Sequence, residues 1–357
     1  MSEHVPATTQ AAALDGNAVA TGSSGPGKNA GGGHEAAPTA APGRSASAEL
    51  AAKYGLLIAF LATVVVFSVA RSSTFPTWRN AESILTLAAP SLIIAVGLTV
   101  VLVMQDFDLS FGGMIGLAGG AATAFMVNHG WAWQVAVVVV LLIGVLVGIA
   151  NGYMVAYLGG SSFIITLAMG TVLTGVEFGL TDQETVYDGI SAGYVKLASG
   201  ELLGLSNQIW IAAVIAIVIW GLLDRTEIGR FMYAIGGNPE AARLSGVRVL
   251  RLRMLGFVIV GVAAAVVGIL ITSQSASYAP NGGTSYLLPA FAAVFLGAAV
   301  FRPGEFNVLG TVVGVLFLGV IQTGLTMLDL DTWVINLVQG GILIAAVLIS
   351  RLGMSRR

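Results

Sequence analysis

Three acids stand in or between long apolar stretches of this chain: Asp106 and Asp108 separate two such runs, and Glu177 lies within a third. An ionisable group in such a place is costly and faces a bundle interior or a watery cavity. Two roles are open to Asp108: capping the helix that follows, or touching a path through the bundle. Glu177 has no partner that the sequence names, and it stands close enough to the end of its stretch for plain solvation to compete with a role. Asn151, Gln274, Tyr278, Asn281, Tyr286, Gln322 and Asn336 add amides, hydroxyls and rings near or within apolar segments. Such groups bind a neutral polar solute weakly enough to release it, and they equally join helices by hydrogen bonds.

Other chemistries find little support. Gly22, Gly27, Lys28 and Asn29 nearly spell the phosphate-cradling GxxxxGK[ST] loop, but Asn29 offers no hydroxyl to magnesium and the surroundings read as a Gly/Ser linker. No HExxH pair occurs, the histidines are scattered at His4, His34 and His129, and there is no cysteine. Disulfides, thiolate metal sites and a cysteine nucleophile are therefore excluded. The chain is expected to bind no metal or cofactor of its own.

The elements that hold these residues are membrane spans. Of the 357 residues 56% are hydrophobic and only 10% charged, against roughly 25% charged in an average soluble domain. A net charge of −2 supplies no basic field for nucleic acid. A hydrocarbon core of about 30 Å takes roughly 20 apolar residues in a helix. Ten segments approach that length: 55–70, 83–104, 111–128, 132–150, 162–180, 209–223, 253–273, 286–301, 307–325 and 333–350. Their continuous rather than alternating apolar character argues against barrel strands. The fold class is an all-α polytopic bundle over 49–357. An Ala/Gly/Ser-rich tail over 1–48 is expected to be disordered, because it has too few large apolar residues to offset ordering entropy. No apolar h-region follows Met1, so the first span is expected to direct insertion. Gly112, Gly116 and Gly120, like Gly144, Gly148 and Gly152, recur at a spacing that brings helix backbones close together.

Orientation follows from the basic loops. The stretch 224–253 carries Arg225, Arg230, Arg243, Arg248, Arg251 and Arg253, and the C-terminal end adds Arg351, Arg356 and Arg357. Both are assigned to the cytoplasm. The loop with Asp182, Glu184, Asp188 and Glu201, and the one with Asp329 and Asp331, face outward. Both termini are then cytoplasmic, with Arg71 and Arg79 as the exceptions on the outer side.

The basic loop holds a compact helix signature. Asn238 reads as N-cap, Pro239 suits the first helical position, Glu240 complements the positive end of the dipole, and Gly246 is a stop. So short a helix is marginal alone, and its regularity suggests docking on something.

The run from Tyr233 to Val247, with Gly236, Gly237, Asn238, Pro239, Glu240, Ala241, Ala242, Arg243 and Gly246, resembles the cytoplasmic coupling loop of ribose/xylose-type permeases of bacterial ABC importers. Asp108 to Gly112 resembles that family's Asp-Leu-Ser-x-Gly motif, and Ser162 to Leu167 its Phe-Ile-x-Thr-Leu segment. The likeness covers about residues 50–350. It implies a ten-span subunit of the bacterial inner membrane that pairs with a second permease copy or a close relative. It also implies a cytoplasmic ATPase dimer carrying ATP and Mg, and an extracytoplasmic sugar-binding protein. Glu240 and Arg243 would be ATPase-interface residues, and Asp108, Asn151, Glu177 and the polar groups above candidates for a sugar path. The chain departs from many relatives at Leu287, Leu288 and Pro289, where acids are common, at Thr174, where Arg is common, and at Phe301 to Phe306, which replace a short Gly-rich turn. An ion-coupled secondary transporter is the rival reading, with the intramembrane acids as its ion sites.

Overall fold

The computed structural model describes residues 46–354 apart from residue 303. The phosphate-loop-like stretch, His4, His34, Arg356, Arg357 and nearly all of the expected disordered tail lie outside the described residues. Thirteen α-helices occur among those described: α1 Ala46–Ala70, α2 Trp78–Val103, α3 Phe111–Val127, α4 Trp133–Gly152, α5 Ser162–Thr181, α6 Ala192–Ser199, α7 Asn207–Arg225, α8 Glu227–Gly237, α9 Pro239–Leu244, α10 Val249–Ser275, α11 Leu287–Gly297, α12 Val308–Met327 and α13 Thr332–Met354. A hairpin pairs β1 Glu201–Leu202 with β2 Leu205–Ser206.

Each of the ten expected spans coincides with one helix. Helices α2, α5, α7, α10, α12 and α4 with its π-helical extension to Tyr157 are long and apolar enough to cross a membrane. Helix α11 is the departure. Its 11 residues rise about 16 Å, half a bilayer core, and a 3₁₀ turn over Gly282–Tyr286 leads into it. The sequence reads this stretch as one span because apolarity does not reveal where a backbone unwinds.

Helices α2, α3, α10 and α11 form the inner layer, with α4, α5, α7, α12 and α13 around them. Both glycine stripes are contact faces. A methyl group at Gly148 would meet the Val258 backbone, and one at Gly144 would lie 2.6 Å from the Gly261 carbonyl, so α4 and α10 touch backbone to backbone. On α3, Gly116 leaves room for the Glu177 carboxyl and Gly120 for the Tyr278 ring.

Helix α2 contains Pro90, which has no N–H to offer the Thr86 carbonyl. Gln208 at the start of α7 donates its Nε2–H to that carbonyl at 2.8 Å instead. At one end of the bundle Arg71 pairs with Asp329 at 3.0 Å, so a cation that breaks the charge rule has an acid beside it. Helix α6 and the hairpin were not legible as elements in the sequence. Tyr194 fixes α6 to α10 through the Thr272 hydroxyl and the Ile269 carbonyl.

Candidate functional site

The expected cytoplasmic helix is α9, six residues long. Asn238 caps it, its Oδ1 accepting from the amides of Glu240 at 3.1 Å and Ala241 at 3.0 Å, and Pro239 opens it. Gly246 follows it with φ +87, the left-handed conformation that favours glycine. Helix α8, which the sequence reads as loop, precedes it, capped by Thr226 through the Gly229 amide. Its apolar anchors Met232 and Ile235, with Ala242 of α9, pack into one cluster with Val100 and Val103 of α2, Met104 just after it and Leu223 of α7. Asn238, Pro239, Glu240, Arg243 and Gly246 stay exposed, and Leu244 is 84% exposed. The pair is thus held by one face and bare on the other.

Gly236 is the closest approach. Any Cβ there would strike the Val103 carbonyl oxygen, so α8 rests directly on the last turn of α2. Just beyond, residues 104–110 lack regular structure although Met104, Asp106, Asp108 and Ser110 are buried. Buried irregular backbone persists only where its polar groups find partners inside the protein. Here side chains supply them. Phe107 donates its amide to Ser162 Oγ at 3.1 Å and Leu109 to Thr166 Oγ1 at 2.9 Å. Ser110 donates both its amide, at 2.8 Å, and its hydroxyl, at 2.6 Å, to Asp108 Oδ1. Asn151 Nδ2 donates to Ser110 Oγ at 2.7 Å.

The Asp-Leu-Ser stretch and the start of the Phe-Ile-x-Thr-Leu stretch are therefore one knot, joining the entrance of α3 to α5 and α4. Asp108 acts on the residue that precedes α3 rather than on the helix amides themselves. The Ser162 and Thr166 hydroxyls were missed as site residues because either could equally have bonded within its own helix.

Glu177 is 1% exposed and not solvated. Its Oε1 accepts from the Tyr278 hydroxyl and from the Asn281 amide, each at 2.8 Å. Oε2 has no protein partner. The carboxyl fastens the irregular segment after α10 to α5, assisted by a bridge between Val186 and Tyr278. These partners lie 101 and 104 positions away in the chain, which is why no local pattern discloses them.

The remaining polar candidates divide by exposure. Asp108, Asn151, Glu177 and Tyr278 lie inside the bundle, whereas Gln274, Asn281, Gln322 and Asn336 are exposed and Tyr286 is half-buried. Asn336 belongs to a groove of about 370 Å³ with Thr284, Ser285, Leu288, Pro289 and Gln339. A second groove of about 450 Å³ lies between α5 and the 3₁₀ turn, with Thr171, Thr174, Thr284 and Leu287. Thr284 borders both, so hydroxyls and amides run across this face from α5 to α13. Thr171, Thr284, Ser285 and Gln339 were not singled out in the sequence, where isolated hydroxyls and amides near apolar runs are common. Leu287, Leu288, Pro289 and Thr174, the positions of departure, all lie in these two grooves.

The replaced turn has a place as well. Arg302 pairs with Asp224 at 2.8 Å and lies 6.0 Å from the centre of the Tyr233 ring, while the Tyr233 hydroxyl donates to the Phe306 carbonyl at 2.9 Å. Burial, with Asp224 adding to it against Arg302, pushes this phenol up to about 12. It therefore remains a donor at neutral pH.

Gly189, Ile190, Ser191, Ala192 and Gly193 match the spacing of a hydrolase serine elbow, which corrects the reading that no such elbow occurs in the sequence. Ser191 is instead the residue before α6, with no strand leading into it, and the His129 ring nitrogen lies on the Ala124 carbonyl at 3.2 Å. An elbow needs a strand-to-helix turn and a base, so the match carries no catalysis. Among the described residues no cluster of acids and histidines could hold a metal ion.

A bundle of apolar helices with an anchored polar helix pair at one end and an unwound, side-chain-satisfied segment inside is a polytopic membrane permease. The chain belongs to the family described as branched-chain amino acid transport system / permease component, whose model matches residues 80–347. It is 33% identical over 295 residues to the ribose import permease protein of Haemophilus influenzae, covering 81% of this chain and 91% of that one. The ribose import permease protein of Escherichia coli K12 is also 33% identical, over 299 residues, 82% of this chain and 92% of that one. The xylose transport system permease protein of Haemophilus influenzae is 30% identical over 354 residues, with coverages of 82% and 94%. No solved structure matches the chain.

Proposed function

We propose that this chain is the membrane subunit of an ATP-driven sugar importer, working as one half of a permease dimer with an ATPase dimer on the cytoplasmic side and a binding protein outside. Similarity to ribose and xylose permeases over most of the chain supports the solute class. One observation carries the mechanism: α8 lies against the Val103 carbonyl, directly ahead of the unwound segment 104–110.

The ATPase takes the exposed side of α9, with Leu244 as an apolar knob and Glu240 and Arg243 as charged flanks. Closure of the ATPase pushes α8 against the end of α2. The push reaches Asp106 and Asp108, and from there α5 through Ser162 and Thr166 and α4 through Asn151. This rocks α5 relative to α3 and opens or closes the polar face where Thr284, Ser285, Asn336 and Gln339 meet the solute. That face has hydroxyls, amides and Leu288, but none of the acids common at these positions in relatives. A neutral solute suits it: a pentose, a hexose or a sugar-like molecule. Both chain ends lie in the cytoplasm in this arrangement.

The test is uptake into proteoliposomes containing the chain, its ATPase and its binding protein, with labelled ribose, xylose and hexoses. Uptake that requires ATP hydrolysis is expected. Uptake driven by an ion gradient with hydrolysis blocked would overturn the proposal in favour of a secondary transporter.

A further inference from the structure

On the side of the bundle formed by α2, α7 and α12 runs a groove of about 380 Å³ whose walls, among them Ala88, Leu92, Ala213, Trp220 and Val312, are all apolar. Along α7 it extends from Ile209 to Trp220, about 16 Å at 1.5 Å per residue. That is close to the roughly 15 Å hydrocarbon depth of one leaflet. At the Trp220 end the Arg225 guanidinium lies 5.0 Å from the indole centre. Arg225 is exposed, and among the described residues no carboxylate forms an ion pair with it. The adjacent acids are taken, Asp224 by Arg302 at 2.8 Å and Glu227 by Arg230 at 3.5 Å.

From this geometry we infer that the groove is a binding site for an anionic phospholipid, one acyl chain lying along α7 and the headgroup phosphate on Arg225. Length and apolarity fit the chain, while an indole beside an unpaired cation at one end of the groove fits the head. A second copy of the permease is the other possible occupant. The polar face lies on α5, α11 and α13, and α5 packs on α3 whereas α7 packs on α2, so the groove is on another side of the bundle. The inference takes from the proposed function only that the Arg225 end lies in the cytoplasmic leaflet.

The test needs neither the ATPase nor a solute, so its failure leaves the transport reading untouched. With Trp78, Trp131, Trp133, Trp210 and Trp333 replaced by Phe, Trp220 is the only indole, and its fluorescence is read in vesicles containing brominated phosphatidylglycerol or brominated phosphatidylcholine. Half-maximal quenching is expected at an about fivefold lower mole fraction of phosphatidylglycerol. Arg225→Gln should remove the difference between lipids, and Ala213→Phe should reduce quenching by both. Equal quenching by the two lipids, or a preference that survives Arg225→Gln, overturns the site. Trp220 shielded from both lipids would assign the groove to a second copy and overturn it equally. If the five-Phe chain does not fold, native mass spectrometry compares the natural chain with Arg225→Gln. Phosphatidylglycerol adducts retained by the natural chain and lost from Arg225→Gln are then expected, and equal retention by both overturns the site.

Discussion

Arg253 holds both oxygens of Asp106, Nε to Oδ2 at 2.7 Å and Nη2 to Oδ1 at 2.5 Å. The fork joins the N-terminal part of α10 to the irregular segment beyond α2, across 147 positions of sequence. Asp106 is nearly buried and Arg253 about a quarter exposed, so removing one partner leaves the other charge with little water to replace it.

Asp106→Asn is accordingly expected to destabilise the fold by about 3 kcal/mol, the lower end for a broken buried pair. Arg253→Lys keeps the charge but not the fork, and should lose less. Thermal melting in detergent, followed by size-exclusion chromatography, ranks natural, Arg253→Lys and Asp106→Asn; an Asn variant as stable as the natural chain removes the pair from the account.

Glu240→Lys and Gly246→Arg change the exposed side of the helix pair and leave its anchors alone. Insertion and yield should be near normal while ATP hydrolysis no longer drives uptake. Gly246→Arg adds about 1 kcal/mol of backbone strain, since a side chain must adopt positive φ there. Substrate-stimulated ATPase activity retained in reconstituted vesicles would contradict this role for α9.

Gly236→Val tests the contact behind that helix pair. A side chain there meets the Val103 carbonyl, so α8 must lift from α2. Uptake should fall at least tenfold, and the ATPase should still bind through α9. Unimpaired uptake would show that α8 does not drive the segment beyond α2.

Asn336→Ala and Thr284→Val remove single polar groups from the open face. One hydrogen bond contributes about 0.5–1.5 kcal/mol, so the transport KM should rise roughly twofold to thirteenfold with the melting temperature unchanged. A lower melting temperature with unchanged KM would make these residues structural instead.

The ten spans and the capped helix α9 were legible because each rests on local pattern: apolar runs set the spans, and Asn238, Pro239 and Gly246 mark one short helix. The knot around residues 104–110 was not, since Ser162, Thr166, Asn151 and Arg253 reach it from other helices. Glu177 looked solvated for the same reason. Its partners Tyr278 and Asn281 lie on a stretch of backbone between two spans, where hydropathy shows only a connection. Arg253 was counted among the cations of a basic loop, yet its head is bonded to an acid at the bundle's edge.

The bond from Gln208 to the Thr86 carbonyl crosses 122 positions, and it replaces one that Pro90 prevents. During synthesis the second span reaches the membrane long before the sixth has left the ribosome. Until then one carbonyl of the second span has no helical donor. The order of translation thus leaves an early helix waiting for a late one, and the sixth span completes the second on arrival.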